Sequence, residues 1–76
     1  MSEEIYRRHT TGEAGLQLVR DFAQRVREGR APGTIGATVI AFTREAWRLD
    51  THREDAQVII NRYPADFPLM GARAAE

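Results

Sequence analysis

Seventy-six residues without a cysteine allow one domain with a modest core, and exclude disulfides, thiolate metal sites, iron–sulfur clusters and cysteine nucleophiles. Eleven acidic and eleven basic residues cancel, so no global field draws the chain toward nucleic acid or an anionic membrane. All the basic residues are arginine, a bias that a GC-rich genome produces and that equally suits carboxylate or phosphate partners.

The first residues, Met1-Ser2-Glu3-Glu4-Ile5-Tyr6-Arg7-Arg8, carry charges of both signs and no apolar core, which is not the pattern of a signal peptide. Residues 1–9 read as an N-terminal arm, 10–70 as the folded domain and 71–76 as a frayed tail. The longest weakly polar run, Ile35 to Phe42, is too short to cross a bilayer. A soluble, cytoplasmic protein is expected, with no membrane association.

The first helix is expected over about 11–29. Thr10 and Glu13 have the spacing of a capping box, in which hydroxyl and carboxylate satisfy amide donors of the first turn. At about 100° per residue, Gly15, Leu16, Leu18, Val19, Phe22, Ala23 and Val26 share one face, and Gln17, Arg20, Asp21, Gln24, Arg25, Arg27 and Glu28 the other. Asp21 and Arg25 are spaced for an i,i+4 ion pair, and Gly29 suits a C-terminal stop. Arg30-Ala31-Pro32-Gly33 then reverses the chain.

Residues 34–50 admit two readings. Thr34 to Phe42 is rich in β-branched residues and has the composition of a buried strand, whereas Thr43 to Leu49 is helical in composition. One helix over 34–50 accounts for both halves, because it puts Ile35, Val39, Phe42, Ala46 and Leu49 on one stripe. Ile40, Thr43 and Trp47, with Gly36, then form a second apolar strip, leaving Arg44, Glu45 and Arg48 for solvent. A helix apolar on two sides needs cover on two sides. In a chain that buries only ~60–65% of its unfolded surface, the second cover is to come from the third helix and tail or else from a partner, and self-association is the expected supplement.

Thr51-His52-Arg53-Glu54 repeats the capping-box spacing and opens a third helix over about 52–63, whose Ala56, Ile59, Ile60 and Tyr63 keep helical period until Pro64 stops it. Ala65 to Met70 has apolar residues without period and is expected to run extended across the core. The fold class is therefore all-α: a small three-helix bundle with an extended C-terminal tail, expected to homodimerise.

Several constellations have a chemical and a plain reading. Asp50, His52, Glu54 and Asp55 have metal-ligand chemistry, but they straddle a helix start, where acids serve the dipole. Neither histidine has a nucleophile beside it, the lone serine being Ser2. No enzyme activity, metal or cofactor is expected. Gly33-Thr34-Ile35-Gly36 resembles the GxxG loop of RNA-binding KH domains, without the strands and basic loop that context requires. It reads more simply as a turn.

Ile5 to Thr10 also has the composition of a strand ahead of two helices. That order resembles ribbon-helix-helix repressors, whose paired strands read the major groove. The resemblance implies a nucleic-acid contact through the arm, and Arg7, Arg8, Arg20 and Arg27 would supply a local basic patch. Helix 1 is long for that fold, the third helix is surplus, and the exposed face of helix 3 (Glu54, Asp55, Gln57, Asn61, Arg62) is net acidic. The leading expectation is a non-catalytic protein-binding module, an adaptor, accessory or inhibitor. Its interface is expected at Ile40, Thr43, Arg44, Trp47 and Arg48, because Trp and Arg dominate binding hot spots.

Overall fold

A computed structural model describes residues 12–68. Among these residues three helices, α1 (Glu13–Arg27), α2 (Ala37–Arg48) and α3 (Arg53–Arg62), are followed by a 3-10 turn, Pro64–Asp66. Each helix packs against both others, which is the small all-α bundle that the apolar periodicity predicts.

Helix α1 buries Gly15, Val19, Phe22 and Ala23 and exposes its arginines, as its two faces dictate. The Asp21–Arg25 pair does not form. Asp21 accepts a hydrogen bond from Gln17 at 3.0 Å, and the Arg25 guanidinium lies 5.6 Å from the centroid of the Phe22 ring. Gly12 caps the helix without a side-chain hydrogen bond; Thr10, of the expected capping box, lies outside the described residues. At the other end, Gly29 adopts φ 73°, its amide donates to the Val26 carbonyl and the Arg30 amide to the Arg25 carbonyl. These two bonds define a Schellman motif and satisfy carbonyls that the helix end would leave open.

Helix α2 settles the ambiguity of residues 34–42 in favour of helix, but it starts later than 34. Gly36 is an extended N-cap (φ −88°, ψ 174°), and Ala37 is the first helical residue. Ile35 and Ile40 thereby take the N′ and N4 positions of a hydrophobic staple, with Ile35 buried and Ile40 half-buried against the core. The helix closes at Arg48 rather than 50. Leu49 is its C-cap and stands 56% exposed, so it does not join the core stripe.

The joint to α3 is short and constrained. The Asp50 amide donates to the Trp47 carbonyl and the Thr51 amide to the Ala46 carbonyl, a second Schellman motif, here with aspartate at φ 57° where glycine is usual. His52, two residues on, is the α3 N-cap and is also left-handed, at φ 50°. The expected Thr51–Glu54 capping box is therefore absent. Thr51 is engaged in ending α2, and no side chain caps α3.

The core takes Val19, Phe22 and Ala23 from α1, Ile35 from the linker, Thr43 and Ala46 from α2, and Ala56, Ile59 and Ile60 from α3. Burying each of the larger apolar side chains stabilises the fold by ~1.5–3 kcal/mol. Each helix contributes one fully buried alanine (Ala23, Ala46, Ala56), and small side chains permit short interaxial distances. Tyr63 stacks at a tilt on Phe22, with ring centroids 6.0 Å apart, and its hydroxyl donates to the Pro32 carbonyl, which clasps the α1–α2 linker to the end of α3. From Pro64 to Phe67 the chain does not run extended, and Leu69 and Met70 of the expected extended segment lie outside the described residues. The 3-10 turn brings Phe67 back into the core, at 1% exposure.

Candidate functional site

The outward arc of α2 is set by its helical period. Thr43 and Ala46 point inward and are fully buried, while Ala37, Ala41, Arg44 and Arg48 occupy the opposite, exposed side. Between these arcs, on one flank, lie Ile40 and Trp47, half-buried and packed against the core. Of the five expected interface residues, four thus form one continuous outward surface. The fifth, Thr43, is corrected to a core position at 0% exposure, because it lies between Val39 and Ala46 on the buried arc. Its Oγ1 has no hydrogen-bond partner among the described residues.

Helix α3 completes the surface from across the joint. The Arg53 guanidinium lies 4.1 Å from the centroid of the Trp47 ring, a close cation–π stack, and its Nη1 donates to the Asp50 carboxylate at 3.3 Å. Trp47, Arg53, Glu54 and Gln57 line an open hollow of about 470 Å³. Pattern reading along the chain does not find Arg53, since Trp47 and Arg53 belong to different helices. The signal present is geometric: residues about equally far from the centre of a tight helical hairpin meet when the chain folds back.

The charges around this surface are unevenly matched. Arg27 pairs with Asp55 at 2.9 Å across α1 and α3, and His52 approaches the other Asp55 oxygen at 3.9 Å. Arg30 pairs with Glu28, and Arg53 with Asp50. Among the described residues no carboxylate lies within ion-pair distance of Arg44 or Arg48. These two lie one turn apart, ~6 Å along the axis, on the same exposed stripe.

The residues of the nucleic-acid alternative are described only in part. Arg20 is exposed on α1, Arg27 is held by Asp55, and Arg7 and Arg8 lie outside the described residues. The acidic cluster at the joint is divided, Asp50 toward Arg53 and Asp55 toward Arg27 and His52. Among the described residues no three histidine, cysteine, aspartate or glutamate side chains converge in a way that would hold a metal ion. No helix among them is long and apolar enough to cross a membrane. Chemically, the site offers an aromatic side chain, an aliphatic neighbour and two guanidinium forks without ion-pair partners among the described residues.

No family model, curated protein or solved structure matches the chain.

Proposed function

We propose that the protein is a non-catalytic, cytoplasmic protein-binding module, an adaptor, accessory or inhibitor protein, that engages its partner through the outward surface of α2. The observation that carries this reading is Trp47. It is half-buried, stacked by Arg53 and bordered by Ile40, Arg44 and Arg48. A large aromatic at the edge of exposed arginines is the composition from which binding hot spots are made, and its fixed stack spares the ordering cost of association. Self-association through the same surface is the homodimeric form of this reading.

The absence of cysteine gives a direct test. Single cysteines introduced as Arg48→Cys on α2 and Asn61→Cys on α3, both exposed positions, are labelled with a photo-cross-linker in cell extract. Adducts formed from position 48 and not from position 61 support the reading, and an adduct of twice the chain mass identifies the homodimer. Equal adducts at both positions, or none at either, refute it.

A further inference from the structure

We infer that the occupant of the α2 surface is an acidic amphipathic helix of another protein, which lays two carboxylates one turn apart on Arg44 and Arg48 and an apolar side chain over the Ile40–Trp47 edge. This deepens the protein-binding reading and rests on it.

Three features single out that occupant. Arg44 and Arg48 are like charges at i,i+4, a spacing that is unfavourable in the free helix; Glu45 lies on the adjoining arc of α2, yet no carboxylate among the described residues forms an ion pair with either arginine. The spacing becomes favourable when a partner supplies anions, and guanidinium forks suit carboxylates with two parallel hydrogen bonds. Glutamates or aspartates at i,i+4 of a docking helix repeat the same one-turn spacing. Ala37 and Ala41 extend the exposed stripe with side chains small enough for a second helix to lie close. The Trp47–Arg53–Glu54–Gln57 hollow, open and beside this stripe, receives the apolar side chain, the helix-in-groove mode of recognition.

Charge argues against the other occupants. In a two-fold pairing of α2 with α2, the exposed stripe of the second copy offers only alanine and arginine, and so no carboxylate, to Arg44 and Arg48. Stacking of a nucleic-acid base needs a free aromatic face, but Arg53 already lies over the Trp47 ring and the side chain packs on the core.

The test is selection from a displayed library of randomised single-helix peptides, against the intact chain and against two exposed double variants, Arg44→Gln/Arg48→Gln and Arg44→Glu/Arg48→Glu. Enriched peptides are expected to carry acidic pairs at i,i+4 or i,i+3 beside a large apolar residue. Their binding, read by the emission of the sole tryptophan, should weaken about tenfold against the Gln variant. The Glu variant should instead enrich basic pairs. Neutral apolar peptides that bind both variants equally would overturn the acidic partner while leaving α2 as a docking surface. Enrichment untouched by Ala41→Arg, in the middle of the stripe, would remove the docking surface itself. Arginine-dependent binding of a single-stranded oligonucleotide in place of peptides would overturn the inference as well.

Discussion

Replacing Thr43 with valine should make the protein more stable, although it removes a polar group from a helix where threonine commonly finds one. Thr43 is fully buried in the middle of α2, and its Oγ1 has no partner among the described residues. A buried hydroxyl without a hydrogen bond costs ~1–3 kcal/mol. Valine keeps the β-branch, nearly the same volume and nearly the same helix propensity, so the exchange isolates the hydroxyl. The methyl that replaces it adds apolar burial. The expected gain is about 1–2 kcal/mol, and for a domain of this size each 1 kcal/mol moves Tm by ~4–8 °C. Thermal and urea unfolding followed by circular dichroism measure it, with the midpoint rising at unchanged slope. Thr43→Ser is the control, since it keeps the unpartnered hydroxyl, loses a methyl and should destabilise. A Thr43→Val variant less stable than the parent would refute the reasoning, because it would show the hydroxyl bonded, most simply to the Val39 carbonyl one turn earlier.

Other outcomes follow from the same structure. Gly29→Ala and Gly33→Ala both place a Cβ in open space, yet only Gly29 has a positive φ. The first should cost ~1 kcal/mol and the second should gain ~0.4–1 kcal/mol through the unfolded chain, opposite signs readable in one pair of melts. Tyr63→Phe removes the donor to the Pro32 carbonyl and should cost ~0.5–1.5 kcal/mol in urea unfolding, with faster amide exchange in the α1–α2 linker. Phe67→Ala should cost ~3–5 kcal/mol, most of the stability of so small a domain, and leave much of the population unfolded by circular dichroism at ambient temperature. Arg44→Ala and Arg48→Ala, by contrast, should change stability by less than ~0.5 kcal/mol.

Much of the fold is legible where one face of a helix decides everything. The α1 stripe from Gly15 to Val26 and the α3 set Ala56, Ile59, Ile60 and Tyr63 follow helical period into the core, and Gly29 marks its helix end. The failures concentrate where two elements compete for the same residues. Thr51 has the right spacing from Glu54 to cap α3, but its backbone is already committed to closing α2, so tertiary geometry overrides the local preference. Leu49 belongs to the stripe by period and leaves it because the helix ends one residue earlier. Thr43 looks like the edge of a second strip until the contribution of α3 to the core is known. Phe67 has no periodic signal, since a 3-10 turn and not a regular element delivers it. In the candidate site, the arginines and tryptophan of α2 are visible in the sequence. The Arg53 stack is not, because it depends on how sharply the chain folds back.

The joint at residues 49–52 has a consequence for how the surface acts. With left-handed residues at Asp50 and His52 and no spare length between them, the two helices have no slack through which to pivot. Trp47 and Arg53 are therefore held as parts of one stiff jaw, which the proposed partner would meet already set. A single residue inserted after Thr51 would leave both side chains in the chain and throw them out of alignment.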